Sequence, residues 1–207
     1  MRALFVSLRV VTVIVFLSLI SLSFLMFSCS STQTGSDATT NENTGDASAE
    51  PTPEKTIPPD LDLEMKAEDF ECITEWTKVG RYRITNKLGF LKEALKVARS
   101  KTGGVFPVGT IIQLVPQEAM VKRRKGWNPK TNDWEFFFLK IEDGKTTIVS
   151  RGKEEVKNQF GGNCYACHSK AGAQWDLICS DTHGCDPLPF TPEVIEGIQR
   201  DDSRCKK

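Results

Sequence analysis

A chain of 207 residues with 27 basic and 27 acidic side chains carries no formal net charge, so no basic excess draws it to nucleic acid. With 39% hydrophobic residues it can build one core of ordinary size. Seven cysteines stand against two histidines, and the cysteines carry most of the chemical information.

Arg2 and Arg9 open the chain ahead of an apolar run from Val10 to Phe27, which stops at Ser28-Cys29-Ser30-Ser31. A basic start, an apolar stretch and small residues at its end form a secretory signal. Cys29 stands where a bacterial lipoprotein carries its lipid, so residues 1–28 are expected to be a lipoprotein signal peptide. A retained transmembrane anchor and plain cleavage are the alternatives. Each places the remainder outside the cytoplasm, in the periplasm or at the outer membrane of a bacterium. Losing Arg2 and Arg9 turns the charge balance slightly acidic. Residues 29–60 are rich in Ser, Thr, Asn, Asp, Gly and Pro and hold no aromatic residue, which describes a polar tether too poor in apolar surface to fold.

A domain over residues 61–180 follows. Arg81–Ile84 has the pattern of a short strand leading to Asn86. Leu88, Leu91, Leu95 and Ala98 then recur at helical spacing through a charged segment that ends at Gly103-Gly104. Gly109–Val115 is β-branched and closes at Pro116. Ala119–Lys122 begins another extended segment, and Trp134–Ile141 is a long aromatic strand. Asp143-Gly144 signals a hairpin into Thr146–Val149. Near the end, Thr191 caps a helix with Pro192 at its first position and Val194, Ile195 and Ile198 on one side. The sum is an α+β domain dominated by antiparallel strands, with residues 181–207 as a disulfide-stapled extension.

Cys164-Tyr165-Ala166-Cys167-His168 has the spacing of a c-type haem attachment site. Two thiols three residues apart can add to the two vinyl groups of one haem, and the histidine that follows becomes the axial ligand of the iron. A redox dithiol or half of a zinc site would use the same residues, but zinc needs about four ligands and His183 is the only other histidine. Setting aside Cys29, Cys164 and Cys167 leaves Cys72, Cys179, Cys185 and Cys205. In an oxidising compartment these make two disulfides, with three connectivities open. Cys179 with Cys185 as a short loop and Cys72 with Cys205 across the domain ends is the pairing suggested.

The sixth iron position separates an electron carrier, which fills it with a strong ligand, from a catalyst or gas binder, which leaves it open. Met120, Met65 and His183 are the candidates. Met120 also suits a core filler, His183 lies on a polar loop, and Met65 adjoins the tether. Alternation puts Phe136 and Phe138 on one sheet face and Phe137 on the other, so these rings either wall an apolar pocket or fill the core. Trp127 and Trp134 read as packing residues. Lys122-Arg123-Arg124-Lys125 is either a docking patch for an acidic partner or lipid, or a solvated loop.

Taken in order, Trp76, Arg81-Tyr82-Arg83, Asn86 with its following helix, Phe106-Pro107-Val108-Gly109-Thr110, Met120-Val121-Lys122, Trp134-Glu135-Phe136 and the terminal haem motif resemble the cytochrome P-460 family. The resemblance spans Cys72 to Ser180. It implies a monohaem c-type protein whose antiparallel sheet cups one haem c, with flanking helices. The family includes hydroxylamine-oxidising enzymes with a lysine cross-linked to the porphyrin, and relatives, the cytochromes c-prime-beta, that lack the cross-link and bind nitric oxide. The Pro-Asp-Gly-Thr segment of many members runs three residues on into a candidate cross-linking lysine. Here Val108 replaces the aspartate, and Gln113 precedes Leu114 at the lysine position, while Lys122 matches the lysine of the Met-Val-Lys segment. The expected function is redox or small-gas chemistry at an open haem iron, and the alternative is a six-coordinate electron carrier using Met120. Compatible partners are a redox protein, a small gas or nitrogen ligand, the membrane through the N-terminal lipid, and a second copy of the chain.

Overall fold

The computed structural model describes residues 56–180 and 182–205. The leader, Cys29 and nearly all of the tether lie outside the described residues. Among the described residues, no helix is long and apolar enough to cross a membrane.

Six strands form one antiparallel meander in sequence order: β1 (Thr77–Val79), β2 (Tyr82–Asn86), β3 (Thr110–Gln113), β4 (Glu118–Lys122), β5 (Trp134–Glu142) and β6 (Lys145–Gly152). The Asp143-Gly144 turn that joins β5 to β6 has positive φ at both central residues, 49° and 74°, as a tight hairpin with right-handed twist requires. A register shift at Phe138/Leu139 leaves Val149 without a ladder partner on β6, and its side chain is exposed. β1 was not evident in the sequence, because three residues are too few to show a period.

Alternation sorts the sheet into two faces. Ile84 faces Ile112, Ile112 faces Met120, and Met120 faces Phe136, so four strands contribute one apolar row. Tyr82 and Trp134 extend this face, and Ala94 packs on it from α1 (Leu91–Ala98). On the opposite face Ile111, Ala119, Val121, Phe137 and Leu139 pack with Met65 and Phe70. Phe136 and Phe138 thus share one face and Phe137 takes the other. Met65, a candidate iron ligand in the sequence, is buried on the side away from the haem motif.

α1 begins at Leu91 rather than at Leu88. The Asn86 side chain accepts from the N–H groups of both Leu88 and Phe90 at 2.8 and 3.1 Å, and this turn occupies the residues that periodicity assigned to the helix. The late helix α3 (Pro192–Arg200) starts where its cap predicts, with Thr191 Oγ1 accepting from Val194 N–H. Its buried side is Ile195 and Gln199, one turn apart, whereas Val194 is exposed. Gln199 donates to the carbonyls of Arg81 and Leu114 at 2.8 Å each, so the segment read as an extension is built into the same unit as the sheet. Disulfides join Cys72 to Cys205 and Cys179 to Cys185.

The basic run does not behave as one loop. Lys122 and Arg123 are buried, and Arg123 pairs with Asp62 and Glu135, while Arg124 and Lys125 reach solvent. Trp134 is fully buried, and half-buried Trp127 lies beneath Arg123 and Lys153.

Asp202 fastens the chain end. Its carboxylate accepts from Ile73 N–H at 3.1 Å and from Arg204 Nη2 at 2.7 Å. Burial alone would raise this carboxyl, but the Arg204 guanidinium and the backbone N–H groups outweigh it and hold it below its ordinary value. A depressed carboxyl contributes stability that is present above the unfolded value of about 3.9 and lost as pH falls through the folded one. Asp202→Asn is therefore expected to lower the urea midpoint at pH 7, by a difference that starts to shrink as pH falls below about 4. Melts at pH 7 and pH 3 check this, and an equal loss at both would refute the linkage.

Candidate haem-attachment site

The Cys-Tyr-Ala-Cys-His segment forms a short helix, α2 (Cys164–His168). Asn163 starts it: its side-chain oxygen accepts from Ala166 N–H at 2.7 Å, while its amide donates to the Glu154 carbonyl at 2.6 Å. The preceding loop is closed by Asn158, whose Oδ1 accepts from the N–H groups of Phe160 and Gly162. The helix is thereby carried from the end of β6 over the apolar row of the sheet.

Between them lies a cleft of about 510 Å³. Ile112, Met120 and Phe136 line its sheet side, and Cys164, Cys167 and His168 line the other. Both Cys164 and Cys167 are free thiols. His168 Nδ1 lies 2.9 Å from the Leu177 carbonyl oxygen. A carbonyl only accepts, so this contact places the proton on Nδ1 and leaves the Nε2 lone pair available to a metal. Burial pulls the His168 imidazole below its ordinary value, against the opposing pull of that carbonyl, which favours the neutral ring a metal needs.

The donor set fits haem better than its competitors. Burial pushes the Cys164 thiol up to about 12, whereas a redox dithiol needs a nucleophile with a lowered value. A zinc reading has its own geometry, since His168 lies within 4.8 Å of the Cys179 and Cys185 sulfurs. Those sulfurs are joined to each other, and the imidazole nitrogen beside them is committed to Leu177. A largely apolar cleft flanked by two free thiols and one oriented imidazole suits a large, flat, covalently held ring.

The other candidates separate cleanly. Met120 lines the cleft and is nearly buried. His183 does not line it and instead stacks on Trp175 with ring centroids 3.7 Å apart. Leu114, where the resemblance expects a cross-linking lysine, does line the cleft and offers no amine. Lys122 is on the same sheet face but outside the cleft. Its amine sits 2.7 Å from both Asp176 oxygens and 2.6 Å from the Asn132 carbonyl.

Glu118 escaped the sequence reading. It lines the cleft from β4, and burial holds its carboxyl above the ordinary value. The alternation that puts Met120 toward the cleft also puts residue 118 there, and that was the available signal. Asp176 escaped too, since nothing local marks an aspartate whose partner lies 54 residues away.

No family model matches the sequence, and no curated protein or solved structure matches it either.

Proposed function

We propose that the chain is an extracytoplasmic monohaem c-type cytochrome of the cytochrome P-460 type. In this reading one haem c is attached through Cys164 and Cys167 with His168 as its axial ligand. The observation that carries it is the meeting, at one apolar cleft, of two free thiols and a histidine whose Nδ1 is already engaged. Two disulfides among the described residues agree with an oxidising compartment.

Bound haem supplies one-electron chemistry and an iron site for a small ligand. The chain's own residues do the rest. Leu177 fixes the imidazole tautomer. Ile112 and Phe136 give the cleft an apolar sheet wall, which favours a small neutral gas such as nitric oxide, or hydroxylamine, against that wall. Glu118, raised by burial, is the carboxyl placed to hold or release a proton there. With Leu114 at the lysine position and Lys122 held by Asp176, no lysine cross-link is part of this reading.

Met120 gives one observation in favour of a second function, a six-coordinate electron carrier, because its thioether lines the cleft opposite the histidine wall. Optical spectra of the haem-loaded protein, oxidised and reduced, decide. The open-iron reading expects a high-spin spectrum that shifts on adding nitric oxide and is little altered by Met120→Ala. A sharp low-spin reduced spectrum that Met120→Ala converts to high spin would establish the carrier instead. A colourless protein would end both readings.

A further inference from the structure

The Lys122–Asp176 ion pair contacts neither attachment cysteine, yet it lies one residue from the hook that holds the axial histidine. Asp176 and Leu177 both have positive φ, 50° and 62°. Two successive left-handed residues, neither of them glycine, form an unfavourable turn that persists only where its surroundings enforce it. The enforcing contacts converge on Asp176. Its carboxylate takes Lys122 Nζ at 2.7 Å on each oxygen and Phe106 N–H at 2.9 Å, and its carbonyl takes Trp134 Nε1–H at 2.7 Å. Lys122 and Asp176 are both buried, at 5% and 1% exposure. What the turn delivers is the Leu177 carbonyl, 2.9 Å from His168 Nδ1.

We propose that Lys122 and Asp176 are positioning residues for His168, clamping the left-handed turn so that the Leu177 carbonyl aims the imidazole into the cleft. The proposal rests on the haem reading above. It also gives the buried lysine a task other than reaching the porphyrin. A carbonyl acceptor on the far nitrogen raises the donor strength of a ligating imidazole, so loosening the hook weakens the ligand and favours the reduced iron.

The test uses the full haem-loaded chain. Mass spectrometry first establishes one covalent haem, and an unmodified polypeptide at that step would strike down the haem reading itself rather than the clamp. The informative variant is K122M/D176N, which removes both charges together. Methionine replaces the lysine stem, and asparagine tolerates the left-handed turn and still accepts from Phe106. The expected result is a midpoint potential shifted in the positive direction, with retained haem. The His168 Nδ1 proton, followed by NMR, should exchange faster by about tenfold, the factor one supporting hydrogen bond carries. Asp202→Asn, which loosens the fold elsewhere, should leave both readouts at parental values. Where the double variant fails to mature, Asp176→Glu keeps the charge but displaces the turn, and the same shifts in smaller measure are expected. Parental potential and exchange in the variants, or equal shifts in Asp202→Asn, would overturn the clamp.

Discussion

Replacing Cys164 and Cys167 together with serine is expected to abolish covalent haem, leaving a polypeptide that loses all haem absorbance on denaturation. Either single replacement should leave a chain attached through one thioether, with a displaced reduced band and a lower yield. The size of the effect follows from the site: the cleft holds no other free thiol among the described residues, so no neighbour can substitute. His168→Ala should act differently, keeping both anchors while removing the ring that Leu177 orients. Haem staining of denatured protein together with intact mass is the check. Covalent haem persisting in the double serine variant would place the attachment elsewhere and remove the basis of the proposed function.

The second large effect concerns the disulfides. Cys72 and Cys205 are 133 residues apart, and Cys179 and Cys185 only 6. In the chain-entropy description the long closure stabilises by about 5 kcal/mol and the short one by about 2 kcal/mol. C72S/C205S is therefore expected to lower the denaturant midpoint far more than C179S/C185S. The short disulfide should show itself in the spectrum instead, because Cys179 Sγ lies 3.8 Å from His168 Nδ1. Denaturation of both variants beside the parent measures this, and equal midpoints would mean that native-state packing, not closure of the long loop, governs the ends of the domain.

Much of this fold was legible because its signals are local. The aromatic run in Trp134–Ile141, the Asp143-Gly144 pair and the Thr191-Pro192 start each act within a few residues, and the strands and helix they announce are present. The errors came where a side chain overrode a period. Asn86 turned the first part of α1 away from helix, and a pattern cannot tell that Val194 stays in solvent while Gln199 is buried. The Cys164–His168 segment was legible as a motif, and the turn that positions His168 was not. Asp176 and Leu177 adopt conformations that no local preference indicates, since contacts from Lys122, Phe106 and Trp134 impose them across the fold. The division of the basic run has the same origin, because Arg123 finds Asp62 and Glu135 only once β4 and β5 are paired.

Consider finally the order in which a chain emerges, whether from a ribosome or through a translocation pore. The meander pairs each strand with its sequence neighbour, so the whole sheet, with Met120 and Phe136 in place, can form before residue 164 appears. The Cys164–His168 segment then arrives at a finished surface instead of having to recruit one. Cys72 has the opposite schedule. It must stay reduced while Cys164, Cys167, Cys179 and Cys185 all pass, because its partner comes last. Each of those thiols is a wrong partner in the meantime. Prompt capture of Cys164 and Cys167 as thioethers would withdraw two of the four competitors, so cofactor loading would also be an editing step in oxidative maturation.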